Sequence, residues 1–145
     1  SGTGGFVEGA AAASTDLIVG VFNGCFYKAS TTEKPTWSNY YPASTTPANS
    51  ENITAFVNDN PFQEYQIATS AAISATDDTV QALIGQVSDT SASGESTAGR
   101  SNCTLNEGAA ATTGKQWRIL RRAEDPDNSD FNAAYANMIV VSNNK

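Results

Sequence analysis

No apolar run in this chain is longer than a β-strand. The longest uncharged apolar segment, Leu17 to Phe22, spans six residues, and every comparable run is closed by glycine, proline or a cluster of Asn, Asp, Ser and Thr. A buried helix needs ~10–12 residues of periodic pattern and a membrane span ~18–20, so this punctuation predicts short strands joined by turns and a soluble chain without membrane helices. Leu17–Tyr27 is β-branched and aromatic with two interior glycines, which suits a buried strand carrying a bulge or bend at Gly20 or Gly24. Pro35–Pro42 reads as a short aromatic strand paired with it. Ile53–Val57 and Gln63–Thr69 flank Asn58-Asp59-Asn60-Pro61, a chain reversal. In Gln63–Thr69, Tyr65 and Ile67 share one face and Glu64 and Gln66 the other. Thr76–Asp89 suits a short helical turn or irregular crossing, weakened by Gly85, and then a strand near Leu83–Val87. Ser88–Arg100 reads as an exposed loop and Ser101–Asn106 as a further strand. The clearest pair is Gln116–Arg122 with Tyr135–Ser142, which ties down the C-terminal end. The expected fold is all-β, an antiparallel sandwich or barrel with long Ser/Thr/Gly-rich loops. Residues 1–15 form a Gly/Ala-rich N-terminal arm and 16–145 one β domain.

Chemistry-bearing groups are scarce. The chain has no histidine, which removes the usual general base and the commonest transition-metal ligand. Gly94-Glu95-Ser96-Thr97-Ala98-Gly99 has the outline of a nucleophile elbow, but its second glycine is one place too far and Ser96 has no base to activate it, so it reads as a loop. Glu124–Asp130 gathers four carboxylates in seven residues. Asp130 stands where a calcium loop starting at Asp125 needs its glycine, and Ala136 stands where the closing glutamate belongs, so a solvated turn partly neutralised by Arg121 and Arg122 is expected. The expectation is therefore a non-enzyme with no catalytic, cofactor or metal site. Cys25 and Cys103 lie 78 positions apart. A bridge between them in a secreted protein would contribute ~4 kcal/mol, whereas in a reducing cytosol they read as small buried apolar side chains.

Charge narrows the partners. Eight basic residues against fifteen acidic ones leave a net charge of −7, which repels polyanions and argues against nucleic acid. Five of the eight basic residues, Arg100, Lys115, Arg118, Arg121 and Arg122, nevertheless fall within one stretch. On a regular strand Arg118 and Arg122 share a face, with Arg121 opposite beside Trp117 and Ile119. This strip suits contact with an acidic protein surface, set against a plainer role as edge charges that discourage aggregation. Tyr27, Trp37, Tyr40 and Tyr41 supply aromatic groups for an interface or a sugar platform, or for cross-strand packing.

A set of ordered landmarks runs through most of the chain from Asp16 onward: Gly20–Tyr27, Trp37–Pro42, Asn60–Tyr65, Gly94–Ser101, Trp117–Leu120 and Met138–Asn144. In these the chain resembles small virion structural proteins of marine tailed bacteriophages, which are interpreted as head or capsid-decoration components. The resemblance implies a non-enzymatic decoration (cement) protein on the capsid surface of a virion assembled in the host cytoplasm. Its partner is then the major capsid protein, and homo-oligomerisation, with a trimer as the preferred form, follows from the small surface of one copy. The candidate interface residues are Arg100, Lys115, Arg118, Arg121, Arg122, Trp37, Tyr40 and Tyr41. The competing class is a secreted adhesin, pilin-like subunit or carbohydrate-binding β module.

Overall fold

The computed structural model describes residues 18–40, 47–73, 76–91 and 103–143. The stretch expected to form one β domain groups into two compact units. Among the described residues, the first takes 19–40 and 47–59 and the second takes 18, 60–73, 76–91 and 103–143.

In the first unit, β1 (Val21–Lys28) is the centre of an antiparallel sheet, flanked by β2 (Pro35–Ser38) and β3 (Thr54–Asn58). The β1–β2 pairing predicted from the sequence holds, with Phe26 opposite Trp37 and Cys25 opposite Ser38. On the other side Phe22 faces Val57 and Cys25 faces Ala55, so β1 carries one extra residue and bulges. Gly24 makes the bulge possible. Its φ of +113° is open to glycine, and a Cβ there would lie 2.5 Å from Cζ2 of Trp37. The space left by the missing side chain is where the Trp37 indole crosses β1 to reach Phe56 on β3, ring centroids 5.1 Å apart. Gly20 serves differently: a Cβ there would collide with the backbone carbonyl of Asn58, so only glycine allows the chain entering β1 to approach the end of β3.

The turn expected around Asn58–Pro61 is present. Asn60 accepts the Gln63 N–H on its carbonyl (3.1 Å) and the Phe62 N–H on its side-chain oxygen (3.0 Å). It does not close a hairpin, because β3 pairs with β1 whereas β4 (Glu64–Ala68) pairs with β9 (Asn137–Ser142).

The second unit is built on the sheet β4-β9-β8-β5, with β8 at Trp117–Arg122 and β5 at Val87–Ser88. All three of its pairings are antiparallel. One face carries the core: Trp117, Ile119, Met138 and Val140 are buried, with Tyr65 and Ile67 half-buried beside them. Each fully buried aliphatic side chain contributes ~1.5–3 kcal/mol relative to exposure. Tyr65 meets Trp117 edge to face at 5.6 Å. A short second ladder joins β6 (Thr90–Ser91) to β7 (Thr104–Leu105). The helix α1 (Asp77–Leu83) is one short element with Asp77 and Asp78 in its first turn, where the helix dipole favours them. It stops before Gly85, whose φ is +86° and whose N–H donates to the Ile119 carbonyl at 2.8 Å.

Buried Glu107 ties the segment after β4 in place. Its carboxylate accepts the backbone N–H groups of Ser70 and Ala71, each at 2.9 Å, and the Ser70 hydroxyl. A buried carboxylate with this many donors is satisfied rather than reactive.

The fold is all-β with antiparallel sheets and, among the described residues, one short α-helix. Among the described residues no sheet closes into a barrel, since each has two distinct edge strands. Gly24→Ala is expected to destabilise the first sheet by ~1–3 kcal/mol and to change Trp37 emission, because both the positive φ and the ring above it are lost. Gly108→Ala is the matched control, since its Cβ would meet nothing within 4 Å. Denaturant unfolding followed by tryptophan fluorescence measures both.

Candidate interaction surface

The basic strip does not survive folding as a strip. Between Ile119, opposite Val140, and Arg121, opposite Ile139, β8 carries a bulge at Leu120. The extra residue reverses the alternation, so Arg121 turns outward with Arg118, and Arg122 takes the face shared with Met138. This corrects the expectation that Arg118 and Arg122 share a face.

Each described cation of the strip has its own partner. Lys115 Nζ lies 2.6 Å from Oδ2 of buried Asp89. Arg121 reaches Glu64 at 2.9 Å, diagonally across β9, and both are exposed. Arg122 pairs with Asp77 of α1 and lies over the Phe131 ring at 5.3 Å. Arg118 donates to the Gly85 carbonyl and to Asn143 Oδ1, with no carboxylate in ion-pair range among the described residues. The expected neutralisation of the acidic turn by Arg121 and Arg122 is therefore replaced by pairing with Glu64 and Asp77. Arg100 and Tyr41 fall outside the described residues, as does the Gly94–Gly99 loop.

The acidic turn is held by its own hydrogen bonds. Asp125 accepts the Asp127 N–H at 3.0 Å through Oδ1 and the Asn137 side-chain amide at 2.8 Å through Oδ2, and Asp130 accepts the Asn132 N–H at 2.9 Å. These carboxylates build Asx turns. Among the described residues no group of three or more Asp, Glu, Cys or His side chains is placed to hold a metal.

The aromatic residues do assemble. In the β2-β1-β3 register, Phe26, Trp37 and Phe56 all project from one face. They remain 45%, 49% and 46% exposed. The Trp37 indole N–H is held by Asn39 Oδ1 at 2.9 Å, which fixes the ring orientation. Lys28 lies on this face at the end of β1, and Asp59 follows β3 at the opposite end. Tyr27 is half-buried on the reverse face, while exposed Tyr40 uses its carbonyl to accept the Ser38 hydroxyl and, at 3.5 Å, the Cys25 thiol. The surface therefore keeps Trp37 from the expected set and adds Phe26 and Phe56. Those two read as ordinary strand residues until pairing brings them to the same side. Their joint exposure is unusual for a sheet, because an apolar face normally lies against another layer.

Neither cysteine forms a disulfide: Cys25 is buried in the first sheet and Cys103 is exposed. Burial raises the Cys25 thiol pKa above its ordinary value. No helix among the described residues is long and apolar enough to cross a membrane. No protein-family model, curated protein or solved structure matches the chain. Fold and surface together define an all-β protein with an uncovered aromatic sheet face.

Two outcomes are expected. Under native conditions a thiol reagent labels Cys103 rapidly and Cys25 only after unfolding, as resolved by mass spectrometry of labelled peptides. Arg122→Glu sets a carboxylate against Asp77 and removes the contact with Phe131, so in chemical denaturation it costs ~1 kcal/mol more than Arg118→Glu.

Proposed function

We propose that this chain is a non-enzymatic structural subunit of a virion, a decoration (cement) protein that binds the outside of a capsid shell and stabilises the head. The observation that carries this reading is the exposed Phe26, Trp37 and Phe56 face. Apolar surface left uncovered on a rigid sheet suits a protein whose work is done by burying that surface in an assembly. The ordered landmarks from Gly20 to Asn144 that resemble phage virion proteins point the same way, and the major capsid protein is the partner they imply. A shell presents many equivalent sites, so a modest interface on a 15.2 kDa chain gains effective strength from repetition. Exposed Trp37, with an amide beside its ring, also suits the alternative of a sugar-binding module.

The test is occupancy on purified heads stripped of their accessory proteins, measured by sedimentation and cryo-electron microscopy. The chain is expected to add back at symmetry-related sites on the shell and to raise the temperature at which heads rupture. Trp37→Ser combined with Phe56→Thr is expected to lower occupancy at least tenfold. No binding to heads, together with binding to immobilised polysaccharide, overturns the virion reading in favour of the sugar-binding one.

A further inference from the structure

The first unit is short of core. Among its described residues the buried apolar side chains are those of Cys25 and Ala48, whereas Phe22, Phe26, Trp37, Tyr40 and Phe56 are all exposed. The second unit buries Val80, Val87, Leu105, Trp117, Ile119, Phe131, Met138 and Val140. A three-stranded sheet gains independent stability by covering a hydrophobic face, and here the most apolar face is bare.

Resting on the assembly reading above, we propose that the occupant of this face is the same face of a second copy of the chain, so that the chain meets the shell as a dimer and Trp37 and Phe56 support occupancy by holding that dimer together. The two β2-β1-β3 sheets stack with their strands antiparallel about a twofold axis near Gly24. Two arguments favour a second copy. The first is charge. The face carries Lys28 at one end and is flanked by Asp59 at the other, with uncharged rings between them. Antiparallel stacking sets Lys28 of each copy against Asp59 of the other, whereas parallel stacking sets Lys28 on Lys28. The arrangement is self-complementary, as an isologous interface requires.

The second argument is area. An aromatic side chain offers ~150–250 Å², so three half-exposed rings supply roughly 300 Å² per copy. If apolar atoms make up about 65% of such a patch, each copy buries roughly 450–500 Å², close to the ~1,000 Å² total at which a specific interface becomes sustainable. The Trp37 ring lies over Gly24, midway along β1, so the two indoles meet near the axis, at the spacing of about 10 Å between stacked sheets. The resulting two-layer core supplies what the first unit lacks. An interface of this size gives a reversible dimer, with a Kd on the order of 10–100 µM.

The experiment is sedimentation equilibrium of the full chain across that concentration range. A monomer–dimer equilibrium is expected. Trp37→Ser and Phe56→Thr should each raise Kd at least tenfold while the circular dichroism spectrum stays that of the parent. Lys28→Asp should weaken the dimer about tenfold, and Lys28→Asp with Asp59→Lys should restore it, which mere loss of folding would not do. A strictly monomeric chain, a trimer, or a dimer indifferent to Trp37 and Phe56 overturns the proposal. The two readings fail separately. A monomer that still needs Trp37 to occupy heads sinks the dimer and leaves the virion reading standing, whereas a charge-swappable dimer that ignores heads does the reverse.

Discussion

An apolar sheet face has to be covered, and in this chain the requirement is met in one unit and left open in the other. In the second unit the β8–β9 ladder brings Trp117, Ile119, Met138 and Val140 to one side, and burial of that side holds the sheet together. Glu107 then ties down the segment after β4 with charge-assisted hydrogen bonds, and Arg122 links α1 to Phe131. In the first unit the rings of Phe26, Trp37 and Phe56 stay in solvent. The free energy of covering that face is therefore still available to an assembly.

The two bulges show how one extra residue decides what a surface presents. At Gly24 the bulge opens a gap in β1 that an indole crosses, turning residues on strands at opposite edges of the sheet into neighbours. At Leu120 it turns Arg121 outward and Arg122 toward Asp77, so these two cations of the basic strip go to separate carboxylates. Lys115 is committed to buried Asp89, where loss of either partner would leave a charge poorly compensated, and Arg118 is held by the Gly85 carbonyl and Asn143 instead of a carboxylate. Among the described residues these ion pairs brace loops and strand edges, whereas the rings of Phe26, Trp37 and Phe56 stay exposed.

Much of the fold was legible in the chain itself. The β-branched and aromatic runs, the proline before Trp37, the Asn60 turn and the alternation of Tyr65 and Ile67 with Glu64 and Gln66 are local signals, and local sterics and hydrogen bonding carry them out. A bulge among the two glycines of Leu17–Tyr27 was expected on the same grounds and occurs at Gly24. The candidate site was less legible: the aromatic cluster around Trp37 stands out in the sequence, but Phe26 and Phe56 do not, because a lone phenylalanine in a strand carries no mark of whether its face will be covered.

By itself, the sequence determined roughly where the longer strands lie, because turn residues and strand-sized apolar runs act within a few positions of themselves, but it did not set their ends: Leu83 closes α1 instead of opening a strand, and β6 falls in a stretch that reads as loop. Only the tertiary structure decided that β3 and β4 join different sheets, that Leu120 shifts the β8 register, and that Lys115, Arg121 and Arg122 pair with Asp89, Glu64 and Asp77. Those three partners lie 26 to 57 positions away along the chain. Pairing over such separations depends on which faces need covering once the whole chain has collapsed, and no local run of residues encodes that.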